Sequence, residues 1–180
     1  MTPALSGADV AHRTVDSPIG PLLLAASEAG VVKIAFQREG FDNVLAFLAE
    51  AQGARVSGAV RPLDRVAMQL DEYFAGSRRE FDVPLDHSLS KGFRLRVQQL
   101  MPEIEYGTTW SYRKLAERAG NANTTRAVGT ACGTNPLPIV IPCHRVLRTD
   151  GSLGGYAGGL DIKVALLDLE RDGTLASLGS

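Results

Sequence analysis

The stretch Ser111-Tyr112-Arg113-Lys114-Leu115-Ala116-Glu117-Arg118-Ala119-Gly120 reads as a helix with both ends marked. Ser111 offers a side-chain oxygen to the first free amides. Gly120 accepts the backbone conformation that stops a helix. A polar connector, Asn121-Ala122-Asn123, leads to a second helix, Thr124 to about Cys132. Helix, short turn and helix make a helix-turn-helix unit. The second helix opens on Thr124 and Thr125, and its Ala127, Gly129, Thr130 and Ala131 are all small. Two readings stand. Small residues permit tight packing against another helix, or close approach to a narrow groove with Arg126 as the one long probe. A helix without large polar side chains reads major-groove base edges poorly. It suits the minor groove, where shape dominates recognition.

The next stretch is Pro136-Leu137-Pro138-Ile139-Val140-Ile141-Pro142-Cys143-His144-Arg145-Val146. Proline fixes its own φ and biases the residue before it, so this lead-in is stiff. The run Ile139 to Ile141 calls for burial. It delivers a thiol and an imidazole side by side. A cysteine reacts as its thiolate and needs a base or a positive field nearby. His144 and Arg145 are adjacent. In an extended segment neighbouring side chains point to opposite faces, so His144 would reach the sulfur through a water. Glu170 is the candidate carboxylate to orient it. The competing reading is a buried structural thiol, the commoner fate of a free cysteine.

Upstream, Thr14-Val15-Asp16, Leu22 to Ala25 and Val31 to Phe36 are short apolar runs separated by turn residues, which predicts a small antiparallel sheet. Phe41 to Ala51 predicts a helix with Val44, Phe47, Leu48 and Ala51 inward. Gly53 to Gly58 reads as a connector. A further helix begins near Pro62, with Leu63, Val66, Leu70, Tyr73 and Phe74 on one face and Gly76 past its end. Phe81 to Leu85 reads as an edge strand because of Pro84. Ser88 or Ser90 would cap a helix running to Met101, with Phe93, Val97 and Leu100 inward. Arg148-Thr149-Asp150-Gly151 reads as a turn. Asp161 would cap the last helix, whose inward face is Ile162, Ala165, Leu166 and Leu169.

Composition narrows the classes. At 44% hydrophobic and 22% charged residues, the chain is of ordinary globular type. No apolar run approaches the roughly 20 residues needed to span a bilayer, and Met1 to His12 lacks signal-peptide features, so a cytoplasmic protein is expected. Two cysteines, Cys132 and Cys143, and three scattered histidines exclude a disulfide framework and give no zinc spacing. No metal site is expected. The net charge of −1 is no mark of a nucleic-acid binder. Yet residues 91–150 carry nine Lys/Arg against four Asp/Glu, which suits an anionic partner.

Arg126-Ala127-Val128-Gly129, Gly133-Thr134-Asn135-Pro136, Ile141 to Val146, Gly155-Tyr156-Ala157-Gly158-Gly159 and the spacing of Lys163, Leu166, Leu167 and Glu170 together resemble the O6-alkylguanine-DNA alkyltransferases. The likeness is closest from Phe93 to Glu170. It is looser upstream, through Asp16 to Gly20 and Tyr73 to Gly76. It implies an α+β chain: a small N-terminal antiparallel sheet with helices, ribonuclease H-like, over residues 12–88. A mainly helical C-terminal domain with a winged-helix-like helix-turn-helix would follow over 89–172. Residues 1–11 and 173–180 would be flexible tails.

The resemblance further implies DNA repair by direct reversal. The alkyl group of O6-alkylguanine in double-stranded DNA, reached by base flipping, would pass irreversibly to Cys143, once per molecule. O4-alkylthymine is a second candidate substrate. His144 would be the water-mediated base, Glu170 its orienter and Asn135 a hinge. Tyr112 and Lys163 would assist protonation of the leaving guanine. Arg126 would be the finger filling the vacated stack. Thr124, Thr125, Ala127, Gly129, Thr130 and Tyr112 would contact DNA, and Val146, Tyr156 and Ala157 would line the base pocket. No cofactor is needed. The partner is the alkylated duplex, bound by a monomer, with cooperativity left open. Gln98 stands where relatives often carry tryptophan, and Glu105 where proline is frequent. The alternatives are a non-catalytic lesion-binding protein of the same fold and an unrelated cysteine hydrolase.

Overall fold

Alternating short apolar runs and turns build the first sheet of the computed structural model, which describes residues 10–52, 56–57 and 63–175. Strands β1 (Val10–Val15), β2 (Leu22–Ser27) and β3 (Gly30–Phe36) form an antiparallel meander. A two-residue strand, β4 (Val56–Ser57), adds to β1 in parallel, giving the order β3-β2-β1-β4. The strand β1 starts at Val10, inside the expected tail, because Val10 and Ala11 are buried and paired. The rest of both expected tails lies largely outside the described residues, as do Pro62 and most of the expected connector.

Helix α1 (Phe41–Gln52) covers this sheet through Val44 and Leu48, which pack with Val10, Leu23, Ala25, Val32 and Ala35. Phe41 and Leu45 complete that face. Phe47 and Ala51 do not share it. Phe47 is 54% exposed, and Ala51 is exposed too. Two stripes of this apolar helix satisfy helical spacing, and the sequence does not say which the sheet selects. Helix α2 (Asp64–Phe74) buries Val66, Leu70, Tyr73 and Phe74 as its periodicity predicts, and Leu63 at its N-cap is buried too. Phe81 to Leu85 is no strand. Val31 donates to the Pro84 carbonyl and accepts from Asp86, a single bridge. Pro84, lacking an N–H, gives a ladder nothing to extend.

The chain divides into two compact units, Met1–Leu89 and Ser90–Ser180. The second unit is mostly helical. Helix α3 (Gly92–Leu100) starts after Lys91 with no side-chain cap, so neither Ser88 nor Ser90 caps it. Its buried side chains are Val97 and Gln98, whereas Phe93 is exposed and Leu100 only half-buried. Gln98 donates to the Ala131 carbonyl at 3.1 Å. A polar tie thus joins α3 to the helix it packs against.

The helix-turn-helix forms as read. Helix α4 (Tyr112–Arg118) is capped by Ser111, whose Oγ accepts from Lys114 N at 3.0 Å. Helix α5 (Thr125–Gly133) follows with Thr124 at its N-cap. Thr124 turns its own hydroxyl back to the Asn121 carbonyl, 2.6 Å away. Strands β5 (Trp110–Ser111) and β6 (Val146–Leu147) pair in parallel. Helix α6 (Leu160–Asp172) starts from Gly159, at φ 98°. Asp161 lies inside the first turn instead of capping it. Ala165, Leu166 and Leu169 are buried, with Ile162 half-buried.

Candidate active site

The stiff lead-in folds back on itself. Ile141 N donates to the Leu137 carbonyl at 2.8 Å. Ile139, at φ +73°, is the only non-glycine residue with left-handed backbone among the described residues. Leu137, Ile139 and Ile141 are each at most 1% exposed. Asn135 is buried inside the fold-back. Its Nδ2 donates to the Ile141 carbonyl at 2.9 Å, and its Oδ1 accepts from Leu137 N at 3.0 Å. Cys143 N donates to the same Ile141 carbonyl at 2.8 Å. Pro142 between them, at φ −81° and ψ 65°, therefore sits in an inverse γ-turn.

Cys143, His144 and Arg145 form a 3₁₀ turn, not an extended segment. All three are buried, where alternation would have sent one outward. The Glu170 carboxylate meets both basic neighbours of the thiol. His144 Nε2 is 2.6 Å from its Oε2. Arg145 donates through Nε to Oε1 at 2.7 Å and through Nη2 to Oε2 at 3.0 Å. Arg145 Nη1 donates to the Ile104 carbonyl at 2.7 Å, and Gly107 N to Glu170 Oε1 at 3.3 Å.

Burial alone would raise the Glu170 carboxyl. The hydrogen bonds from His144 and Arg145, with the Arg145 charge, outweigh it and hold the group far below the usual carboxylate range. His144 moves down from the ordinary imidazole value. Its complete burial disfavours the cation by more than Glu170 favours it. The pair is therefore a neutral imidazole against a carboxylate. Nε2–H donates to Glu170, which leaves Nδ1 with a bare lone pair. That Nδ1 is buried with no hydrogen-bond partner among the described residues.

Arg145 is the participant that sequence reasoning did not assign. Its signal was present: a buried arginine requires a carboxylate, and α6 turns Glu170 to its buried face.

Lys163 is fully buried on α6. Its ammonium donates to the Val146 carbonyl at 2.9 Å, to the Leu153 carbonyl, and more weakly to Gly155 O at 3.4 Å. It clasps β6 to the following loop. Burial pushes its pKa down, against the pull of the two cysteines. Tyr112 abuts that loop. A Cβ on Gly154, whose φ is +68°, would fall 2.8 Å from the Tyr112 hydroxyl. Burial, then the nearby Cys132 and Cys143, push the phenol up to about 12, so Tyr112 keeps its proton at neutral pH. Burial likewise raises the Cys132 thiol. Val146 is buried in β6, Tyr156 is half-buried and Ala157 exposed.

A groove of about 440 Å³ lies beside these residues, lined by Tyr112, Thr125, Arg126, Gly129, Arg148, Thr149, Gly154 and Gly155. On α5, Thr125, Arg126, Ala127 and Thr130 are exposed and Gly129 half-buried, while Val128 and Ala131 point inward. A Cβ added to Gly129 would meet nothing within 4 Å. Packing within the chain therefore does not require a glycine there, and the outward face of α5 is free to meet another surface.

Among the described residues no group of three metal-binding side chains occurs, and no helix is long and apolar enough to cross a membrane.

Two family models match the chain. That for the 6-O-methylguanine DNA methyltransferase ribonuclease-like domain covers residues 10–87, and that for the DNA binding domain of the same family covers residues 92–172. A methylated-DNA–protein-cysteine methyltransferase of Mycobacterium tuberculosis is 41% identical over 93% of this chain and 96% of its own length. One from Methanosarcina acetivorans is 40% identical over 86% and 94%. The crystal structure of Mycobacterium tuberculosis OGT in complex with DNA superposes with a TM-score of 0.81 at 36% identity, over 94% of this chain and 97% of that one.

Proposed function

The chain belongs to the 6-O-methylguanine DNA methyltransferase family, and from that premise we propose that it repairs O6-alkylguanine in duplex DNA by taking the alkyl group onto Cys143. It is a DNA-binding methyltransferase of DNA repair. The observation that carries the residue assignment is the Glu170–His144 pair, 2.6 Å apart, with the imidazole neutral and Nδ1 bare, in the turn that also holds Cys143. A water between Sγ and Nδ1 carries the thiol proton to His144. The thiolate attacks the alkyl carbon; the S–C bond forms as the C–O6 bond breaks, and the electron pair leaves on guanine. Guanine takes up its proton through the Tyr112 hydroxyl, which is reprotonated from solvent at once, and His144 releases the thiol proton to solvent, so that one proton leaves the thiol and one reaches guanine.

The base must leave the stack to reach a thiol that is only 5% exposed. The smooth outer face of α5 supports docking in the minor groove, with Thr124, Thr125, Ala127, Gly129 and Thr130 against the backbone and Arg126 filling the gap in the stack. Asn135 is the hinge that joins α5 to the reactive turn. Lys163 acts as a clasp on the base pocket formed by Val146, Tyr156 and Ala157, because its ammonium is already committed to three carbonyls. The thioether is stable, so each molecule acts once. Residues 89–172 carry binding and chemistry, residues 12–88 form the accompanying α/β domain, and the protein works as a monomer in the cytoplasm. O4-alkylthymine is a second substrate to test.

The experiment is intact mass measurement after incubation with a duplex carrying one O6-methylguanine. We expect a gain of one methylene equivalent, never more than one per chain, on the peptide containing Cys143. A gain on Cys132, or repeated turnover, would overturn the assignment.

A further inference from the structure

The groove beside the reactive turn has two walls, and the mechanism above uses one of them. The α5 wall presents Arg126 and Thr125. A second segment, the turn after β6, lines the groove with Arg148 and Thr149. No carboxylate lines the groove. The nearest acid in sequence, Asp150, makes no ion pair with Arg148: it feels the Arg148 charge, but its Oδ1 accepts from both N and Oγ of Ser152, at 2.9 and 2.6 Å.

Arg148 is held by its backbone and not by its side chain. Its N–H donates to the Ser152 carbonyl at 2.9 Å, and its carbonyl accepts from Gly151 N at 2.8 Å. Gly151 takes φ +85° to close that turn. The guanidinium, by contrast, is exposed and makes no ion pair or side-chain hydrogen bond among the described residues. Several exposed arginines elsewhere are paired: Arg13 with Asp64, Arg65 with Asp82, Arg118 with Glu103, and Arg171 with Asp168 and Asp172. Its charge is felt at the Tyr112 phenol across the groove. A fixed turn thus aims an uncommitted fork of donors at a groove with hydroxyls and a second arginine but no acid. That donor set matches a phosphodiester, which accepts two parallel N–H bonds from one guanidinium.

We propose that Arg148 is a backbone-phosphate anchor, holding one phosphodiester of the bound DNA strand in the groove that Arg126 also lines. The inference rests on the reading of the chain as a DNA-binding protein. Its role is positioning: it fixes the strand beside the reactive turn and reads no base.

The test is fluorescence anisotropy with an undamaged duplex oligonucleotide over a series of KCl concentrations, comparing wild type, Arg148→Ala, Arg148→Lys and Arg171→Ala. Each phosphate neutralised adds about 0.9 to the slope of log affinity against log salt. We expect Arg148→Ala to reduce the slope by about one and to weaken binding about tenfold at low salt. Arg148→Lys should keep the slope, and Arg171→Ala, which removes a charge already paired, should leave slope and affinity unchanged. Equal slopes for wild type and Arg148→Ala would overturn the proposal. So would an equal loss in Arg171→Ala, which would reduce the effect to net charge. Failure of the wild-type protein to bind the duplex at all would instead overturn the underlying DNA-binding reading. Arg148 is exposed on a turn closed by backbone bonds, and matching thermal melts will verify that the variants fold.

Discussion

Asn135 and Cys143 converge on one acceptor, the carbonyl of Ile141, which takes the Asn135 amide at 2.9 Å and the Cys143 N–H at 2.8 Å. The residue that ends the helix-turn-helix and the residue that carries the thiol are thus separated by a single oxygen. Asn135→Ala removes the donor to that carbonyl and strands Leu137 N, both inside a buried fold-back. It should cost about 2 kcal/mol in urea unfolding. It should also slow alkyl transfer at substrate saturation, because the thiol loses its fixed position. Asn135→Asp keeps the acceptor for Leu137 N and should retain part of the stability but not the rate. A rate unchanged in both variants would remove the hinge role.

Glu170 serves a neutral imidazole and a guanidinium, so its neutralisation should be more damaging than loss of either partner. Glu170→Gln keeps the volume but leaves the Arg145 guanidinium without a counter-charge in a buried site. We expect a loss of about 3 kcal/mol and a fall in transfer rate of about a hundredfold or more. Arg145→Met removes that stranded charge. The double variant Arg145→Met, Glu170→Gln should recover stability relative to Glu170→Gln while remaining slow. Recovery of the rate as well would show that Glu170 acts only through Arg145.

Acid should weaken the protein in two stages. His144 is buried neutral, with its folded pKa below the ordinary 6.5. Below pH 6.5 the unfolded chain therefore takes up a proton that the folded chain refuses, and stability falls as pH drops. Glu170 is depressed from its ordinary 4.5. Its contribution is complete above that value and is lost progressively as pH falls below it. Urea midpoints of wild type should be level above about pH 7.5 and decline from near 6.5, with a steeper decline below 4.5. His144→Gln should remove its part of the upper stage only. An identical upper stage in that variant would mean that His144 does not titrate as its burial requires.

Gly129 offers a substitution whose effects on stability and on binding should have opposite signs. Its backbone is helical, a Cβ there meets nothing within 4 Å, and glycine inside a helix is poorer than leucine by about 0.5–1 kcal/mol. Gly129→Leu should therefore raise the thermal midpoint slightly. It should also weaken duplex binding about tenfold or more by standing the α5 backbone away from the groove floor. Unchanged binding would mean that this face of α5 does not dock.

Much of this arrangement was legible beforehand. The α2 face, the Ser111 cap and the helix-turn-helix followed from spacing and side-chain chemistry alone. What escaped did so for identifiable reasons. Phe47 and Leu45 flank Val44 and Leu48 on competing stripes of α1, and which of them packs is decided by the sheet, not by the helix. Pro142 is compatible with an extended strand and with a γ-turn, and only the second turns His144 and Arg145 inward together. Asp161 is a good capping residue, but Gly159 reaches the φ of 98° at which the last helix begins. Whether packing within the chain required a glycine at 129 depends on the space beside it, which spacing along the sequence does not reveal.

The left-handed backbone at Ile139 carries one more consequence. A β-branched residue at φ +73° is unfavourable by about 1–2 kcal/mol, so the chain does not adopt this shape by local preference. Burial of Leu137, Ile139 and Ile141 imposes it. The nucleophile's address is therefore written in hydrocarbon. A conservative exchange of one aliphatic residue for another in this fold-back, leaving every polar contact of the site intact, can shift where the Cys143 thiol sits.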